Sequence, residues 1–195
     1  RCRRIIHHLL SYDEYITIDE LSEINEVSRN TTLSDIQTID SFIKGSNLTI
    51  VSSPFKGIKI DGNEMEKRKI LLETYTLDLN NPDLEVDLIL SNLMSSKEID
   101  SIEKVINRLE QYTDNSLSGI AYKNAKTNLA MSVNRIRNGH EIKELHLPVE
   151  IENTKEYHAL LSMKSTINEL FEVDLPESEI RYIAVQLVGS SVQTN

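Results

Sequence analysis

The apolar positions of the first sixty residues recur at helical spacing and then alternate, which predicts three short helices followed by a β-hairpin. The first helix has an apolar stripe at i, i+4 spacing, made of Ile5, Ile6, Leu9 and Leu10. The other positions of this segment are mostly polar or charged. We therefore expect a short amphipathic helix with one buried face.

The second predicted helix begins with a capping signal. Thr17 precedes the apolar positions and Glu20 follows three residues later, which is the spacing of a capping box. Leu21 and Ile24 are expected to face inward. Residues 25–27 then form a tight connection to the next helix.

The third predicted helix begins at Ser28, a favourable N-cap residue, and ends near residues 44–47. Its inward face is expected to consist of Leu33, Ile36, Ile39 or Asp40, and Ile43. The segment LTIVSSPFKGIKIDG follows at residues 48–62. Its alternation and its central turn residues predict a β-hairpin whose second strand covers residues 57–60.

Beyond residue 62 the pattern changes to longer helical repeats with almost no strand signal. The segment EMEKRKILLETY predicts a charged helical connector, which is broken at Asn80-Asn81-Pro82. Five further stretches predict a compact helical bundle: DLILSNLM, SIEKVINRLEQYT, SGIAYKNAKTNLAMSVNRIRNG, TKEYHALLSMKSTINELFEV and PESEIRYIAVQLVGSS. Pro176 and the acidic residues after it suit the start of the last helix.

The composition agrees with a helix-rich protein. The 195 residues are 39% apolar, with six Gly, four Pro and no Trp, and they can form one or two domains. No apolar run is long enough to predict a membrane span, and His7, His8 and Asp13 interrupt any signal-peptide core. The single cysteine, Cys2, cannot form an internal disulfide, which favours a reduced, cytoplasmic protein.

The charge is unevenly distributed along the chain. The formal net charge is −10, but residues 1–70 hold ten Lys+Arg against eleven Asp+Glu, whereas the remainder holds 11 against 20. The acidity therefore belongs to the second part. The first part can present a local basic face to an anionic partner.

No arrangement of residues predicts catalysis, a metal site or a cofactor. The acidic pairs Glu177 with Glu179 and Asp13 with Glu14 are explained more simply by a helix start and a loop. The sequence contains no glycine-rich phosphate loop, no Cys/His spacing for a metal and no nucleophile motif. We therefore expect a protein that is not an enzyme.

Three helices followed by a hairpin are the plan of a winged helix-turn-helix, whose third helix enters the DNA major groove with its N-terminal residues. The first turn of the third helix here, SRNTT, is rich in side chains that bind base edges and phosphates. A polar first turn is also common for capping and solvation alone. The expected DNA contacts are Arg29, Asn30, Thr31, Thr32 and Ser34 on the helix, and Lys56 and Lys59 on the hairpin.

The second part resembles the phosphotransferase-system regulation domain (PRD) of bacterial transcription regulators. NLAMSVNRIRNG, residues 128–139, is similar to the family's helix that ends in Arg, three residues and Gly, and VDLPESEIRYIAVQLVGSS looks like its last helix. Residues 16–36 and GIKIDG resemble the Mga-type winged helix of the activator branch. The resemblance implies a BglG-family or mannitol-activator type regulator, of which this chain would be a fragment with the first PRD.

The sequence departs from that family at two positions. The family carries a phosphorylated histidine in each of these two helices, but the matching residues here are Asn128 and Gln186. An amide can neither accept a phosphoryl group as imidazole does nor titrate near neutrality. The five histidines of this chain lie elsewhere, so we expect no intact phosphorylation site.

Together these patterns predict a mainly α protein: a winged helix-turn-helix over residues 1–62, a helical connector over 63–80 and a PRD-like bundle over 81–195. We expect a transcription regulator, an activator of a bacterial carbohydrate operon, that binds a double-stranded DNA operator as a homodimer. Phosphotransferase-system proteins would act through domains outside this chain, and no membrane partner is expected. Two alternatives stay open, a helical interaction module that does not bind DNA and a relative of RNA antiterminators.

Overall fold

The computed structural model describes residues 1–12, 14–76, 85–117, 119–143 and 149–192. These residues form ten α-helices, one short 3₁₀ helix and one two-stranded antiparallel sheet. The prediction of a mainly α protein is therefore confirmed. The chain divides into two compact units, Arg1–Asp78 and Leu79–Asn195.

The first unit contains three helices, a hairpin and a fourth helix. Its elements are α1 Cys2–Tyr12, α2 Ile18–Asn25, α3 Arg29–Ile43, β1 Thr49–Ser53, β2 Gly57–Asp61 and α4 Glu64–Thr76. Ile16 adds an isolated bridge to β2, because its backbone exchanges hydrogen bonds of 2.9 and 2.8 Å with Ile58. Gly57 is required next to this bridge, since its φ is +101° and a Cβ would lie 2.0 Å from the Ile16 carbonyl oxygen.

The core of the first unit is built on α1. The four apolar residues of its predicted stripe are at most 2% exposed: Ile5, Ile6, Leu9 and Leu10. α4 packs against α1, so the helix predicted as a charged connector lies in the first compact unit. Its Arg68 is fully buried and is paired with Glu64, one helical turn earlier, at 3.0 Å.

Both predicted N-caps are present in the first unit. Thr17 and Glu20 form the capping box of α2: the Thr17 N–H donates to the Glu20 carboxylate at 2.8 Å, and the Glu20 N–H donates to Thr17 Oγ1 at 3.2 Å. At the start of α3, Ser28 Oγ accepts a hydrogen bond from the Thr31 N–H at 3.2 Å. These local bonds explain why the two helices begin where the sequence predicts.

The inward face of α3 agrees with the prediction at Ile39 and Ile43 but differs from it by one position in the first half of the helix. Its buried residues are Thr32, Asp35, Ile39 and Ile43. Leu33 is 40% exposed, and Ile24 of α2, also expected to face inward, is 44% exposed. Asp35 can be buried because the Arg1 guanidinium donates two hydrogen bonds to its carboxylate, and this pairing also lowers the pKa of Asp35.

The second unit is a helical bundle. Its elements are α5 Glu85–Leu93, α6 Ser96–Thr113, α7 Gly119–Arg137, a 3₁₀ helix Val149–Asn153, α8 Lys155–Ser162, α9 Lys164–Phe171 and α10 Glu177–Val192. α7 packs against α5, α6 and α10 and is buried along most of its length, so it is the central helix. The stretch predicted as one helix after residue 153 is two, because Met163 leaves helical geometry with φ −94° and ψ 0°.

The motif Arg, three residues, Gly has a structural explanation at the end of α7. Gly139 has a left-handed backbone, φ +79°, that lets the His140 N–H reach the Arg135 carbonyl at 2.9 Å. This 6→1 bond terminates the helix and satisfies one of its last carbonyl groups. Within the same motif, Arg137 donates to the Phe171 carbonyl at 3.1 Å and so joins the end of α7 to α9.

His7 is a half-buried titratable group in the first unit. Its Nε2 lies 2.7 Å from Thr74 Oγ1, and the Thr74 hydroxyl donates to the Leu71 carbonyl at 2.7 Å. The Thr74 oxygen therefore accepts from Nε2–H, so the neutral ring carries its proton on Nε2. Burial, and secondly the charge of Arg3, lowers the pKa of His7 to about 4.

We expect the first unit to lose stability as the pH falls from 6.5 towards about 4. The unfolded state binds a proton at His7 throughout this window while the folded state resists it, so unfolding is favoured by acid. Because the ring is partly exposed and water screens its charge, the effect on the free energy of unfolding is about 1–2 kcal/mol.

Urea unfolding of the chain and of its His7→Gln variant between pH 7.5 and 4.5 measures this effect. Gln can still donate to Thr74 but does not titrate, so its stability should depend less on pH. His158→Gln, at an exposed position of the second unit, is the matched control. The same pH dependence in the parent and His7→Gln proteins would contradict the prediction.

Candidate functional site

A tight turn between α2 and α3 fixes the direction of α3. Glu26 ends α2 in a left-handed conformation, φ 55°, and the Val27 N–H bonds back to the Ser22 carbonyl at 3.1 Å. Ser22 also forms a buried hydrogen bond of 2.8 Å between its hydroxyl and that of Thr32 on α3. The turn and this bond together hold α3 in one orientation against α2.

One face of the first half of α3 is open to solvent. The exposed residues of this face are Arg29, Asn30, Leu33, Ser34 and Gln37. Arg29 and Leu33, Asn30 and Ser34, and Leu33 and Gln37 are each four residues apart. The five residues therefore lie along one side of the helix. Sequence reasoning missed Leu33 and Gln37. Their spacing from Arg29 and Asn30 was the available signal, but Leu33 was assigned to the core because it is apolar.

The two threonines of this segment are not part of the exposed face. Thr31 is half-buried, and its hydroxyl lies 2.8 Å from the hydroxyl of Ser28. Thr32 is 0% exposed, and its hydroxyl is bonded to Ser22. The prediction that Thr32 contacts DNA is therefore wrong. Its side chain lies inside the unit, where it links α3 to α2.

Arg29 is engaged by an acidic residue of α2. Its Nη1 lies 2.5 Å from Asp19 Oδ1, and the two side chains are 55% and 72% exposed. Ion pairs that are this exposed contribute about 0–1 kcal/mol, because water and salt screen them. An anionic ligand can therefore displace Asp19 from the guanidinium at little energetic cost.

The two lysines of the hairpin differ in their surroundings. Lys56 is exposed in the turn, whereas the Lys59 side chain is only 24% exposed. The Lys59 ammonium lies 3.3 Å from Asp61 and 5.4 Å from the centre of the Tyr15 ring. Lys59 is thus held along the strand by these two contacts, and Lys56 is the lysine at the tip.

The turn of the hairpin contains an aromatic residue in a left-handed conformation. Phe55 has φ +64° and follows Pro54, and the turn is closed by a 3.2 Å hydrogen bond from the Lys56 N–H to the Ser53 carbonyl. Such a backbone costs about 1–2 kcal/mol for a residue with a Cβ. The side chain is fully exposed, so burial within this unit does not offset that cost.

In the second unit, Asn128 and Gln186 lie on the neighbouring helices α7 and α10. The Asn128 side-chain amide donates to the Asn124 carbonyl at 2.9 Å, and the Tyr182 hydroxyl donates to Asn128 Oδ1 at 3.4 Å. Asn128 is 9% exposed and Gln186 is half-buried. The Asn128 amide therefore links α7 to α10 as an internal polar contact.

The remaining chemistry of the described residues is limited. None of their His, Cys, Asp and Glu side chains form a group of three or more that could hold a metal ion. Among the helices of the described ranges, none combines the length and the apolar character that a bilayer span requires. Two of the five histidines lie in the last third of the chain beyond residue 140. His158 is exposed, and His146 lies outside the described residues.

Three comparisons relate the chain to known proteins. Residues 103–190 match the sequence model of the PRD domain. The "Probable licABCH operon regulator" of Bacillus subtilis (strain 168) is 24% identical over 195 residues, which is 100% of this chain and 30% of that protein. The "Transcriptional regulator ManR" of the same organism is 23% identical over 197 residues, covering 99% of this chain and 30% of that protein.

The chain thus spans about 30% of the length of these curated relatives. A solved structure, "Crystal structure of GlcT CAT-PRDI", aligns with a TM-score of 0.45 and 22% identity over 75% of this chain and 76% of that one. The predicted resemblance is confirmed by the sequence matches: residues 103–190 match the PRD model, and the chain is similar along its whole length to bacterial transcription regulators.

Proposed function

We propose that this chain is the DNA-binding part and first PRD of a transcription activator of a bacterial carbohydrate operon. The observation that carries the proposal is the exposed face of α3, whose direction is fixed by the tight turn after α2. In a helix-turn-helix this surface enters the major groove. Residues 1–62 would then form a winged helix-turn-helix with α4 packed on it, and residues 81–195 the PRD-like bundle.

The side chains on the exposed face of α3 suit the edges of base pairs. Arg29 can donate two hydrogen bonds to guanine, and Asn30 or Gln37 can pair with adenine. Leu33, which is 40% exposed, can contact the methyl group of thymine. Ser34 can bind either a base edge or a phosphate. Thr32, which is buried, has no place in this set.

Binding in this mode would exchange internal ion pairs for contacts with DNA. Arg29 would leave Asp19, and Lys59 would move from Asp61 to a phosphate, while exposed Lys56 would need no such exchange. Each phosphate neutralised in this way releases counterions, so affinity should fall steeply with salt. A homodimer would place two copies of α3 about 34 Å apart on a palindromic operator.

One observation favours the second candidate, a protein-interaction module. An open cleft of about 370 Å³ in the first unit is lined by residues of α1, α2 and the segment between them. Tyr12 is 65% exposed, Ile24 44% and Tyr15 37%, and Glu14 and Glu23 flank them. Such a surface suits a basic protein partner rather than DNA, because its charged groups are carboxylates.

Selection of bound sequences from a random pool of DNA duplexes separates the two candidates. A regulator should enrich a palindromic sequence and lose affinity for it steeply between about 50 and 200 mM salt. The steepness of this loss should increase with the number of phosphates that the protein contacts. Recovery of unselected sequences with weak binding at low salt would contradict DNA recognition and leave the interaction module.

The exposed face of α3 gives a prediction for Arg29. Arg29→Ala should weaken binding to the selected operator by about 1–3 kcal/mol, if the guanidinium contacts a guanine. Asp19→Asn should act in the opposite direction, because it frees Arg29 and removes a negative charge near the DNA. Fluorescence anisotropy with labelled operator measures both changes.

Arg108→Ala is the matched control, since it removes the same charge from an exposed position on α6. It should leave operator affinity within about twofold of the parent. If Arg29→Ala behaved like Arg108→Ala, Arg29 would not belong to the reading surface.

We also propose that the PRD of this chain is not phosphorylated at the family positions. Asn128 provides a neutral amide that is bonded to Asn124 and Tyr182, and Gln186 replaces the second imidazole. The proposed bundle would therefore transmit a response that originates outside these two positions. Dimerisation and coupling to other domains are the roles that remain for it.

Incubation of the chain with phosphotransferase components and labelled phosphoenolpyruvate should produce no stoichiometric, acid-labile label in residues 120–190. Phosphohistidine is the acid-labile product that an intact site would give, and amides cannot form it. A PRD with both histidines serves as the positive control for the components. Peptide mapping that finds stoichiometric label in this range would overturn the proposal.

A further inference from the structure

The tip of the hairpin carries a side chain that the fold of this unit does not use. Phe55 is fully exposed, at 104% of its reference area, and therefore gains nothing from burial. It is also the third residue of a four-residue turn with φ +64°, a position that favours Gly or Asn. Its exposure and its backbone both disfavour Phe, so a role in stability does not explain it.

The surroundings of Phe55 point to an anionic partner. The turn at residues 53–56 contains Lys56 and no acidic residue, in a chain whose formal net charge is −10, and the hairpin's one acidic residue, Asp61, is paired with Lys59. Lys56 follows Phe55 directly and is exposed with it at the tip. A basic protein partner is disfavoured by these charges, whereas a nucleic acid is favoured by them.

An aromatic ring beside a lysine matches the chemistry of a DNA minor groove. Apolar side chains such as Phe pack on the sugars and base steps that form the floor and walls of that groove. The neighbouring lysine can bind a phosphate at the rim of the same groove. The narrow β-hairpin presents both side chains at its tip, one residue apart in the chain.

We propose that Phe55 is a minor-groove contact, with its ring packed against deoxyribose and base edges and Lys56 on an adjacent phosphate. This inference rests on the proposed DNA-binding function and assigns to it a contact that adds affinity without reading a unique sequence. It also gives a reason for an aromatic residue at a strained turn position, because the ring becomes buried only in the complex.

Two substitutions separate the ring from the backbone. Phe55→Asn removes the apolar surface and relieves the turn, since Asn tolerates a left-handed backbone. It should keep or raise the melting temperature while weakening operator binding about tenfold, as expected for one apolar side chain that loses its buried contact. Phe55→Leu keeps apolar surface and the strained backbone, and should retain most of the affinity.

Two further readouts assign the contact to the groove. The dependence of affinity on salt should be unchanged in Phe55→Asn but shallower in Lys56→Gln, because only lysine neutralises a phosphate. Hydroxyl radicals cleave DNA at the deoxyribose on its minor-groove side. Protection of a short run of sugars by the parent protein should be lost with Phe55→Asn.

The outcomes are distinguishable from failure of the proposed function. If the parent chain selects no operator, the proposed function falls and this contact with it. If the parent binds but Phe55→Asn gives the same affinity and footprint, the minor-groove contact alone is overturned. A change confined to self-association, measured by sedimentation, would assign Phe55 to an interface between two copies instead.

Discussion

The buried hydrogen bond between Ser22 and Thr32 is the contact on which the candidate DNA-binding surface depends. An α-helix turns by about 100° per residue, so fixing Thr32 inward fixes the direction of every other side chain on α3. Asn30, Ser34 and Gln37 then lie within roughly 40° of the opposite, outward direction. Arg29 lies nearer the border with α2, which explains why Asp19 can reach it.

Local signals in the sequence predicted the parts of this structure that depend on neighbouring residues. The capping box of Thr17 and the stripe of α1 are examples, because each is complete within one helix. The inward face of the first half of α3 was predicted wrongly, because a polar residue can be buried only when a partner from another element satisfies it. Ser22 is such a partner for Thr32. No sequence signal predicted the break at Met163, where neither Gly nor Pro occurs.

Three basic residues of the first unit are paired with acidic residues of the same unit. Arg1 is paired with Asp35, and Lys59 with Asp61, in addition to the pair formed by Arg29. Of these acids only Asp35 is buried, so Arg1 is fixed as part of the structure while the other two pairs are exchangeable. DNA binding in the proposed mode would break these two exchangeable pairs, so new contacts with bases and phosphates would have to repay them.

The packing of the second unit around Asn128 uses a neutral side chain at that position. The end of α7 is determined by Gly139 and the backbone bond of His140 to Arg135, and the Asn128–Tyr182 bond is one of the contacts between α7 and α10. None of these contacts needs an imidazole. With an amide at position 128 the two helices still pack together, and this position carries no group whose charge could change. An input at this position would have to act through the packing of the helices.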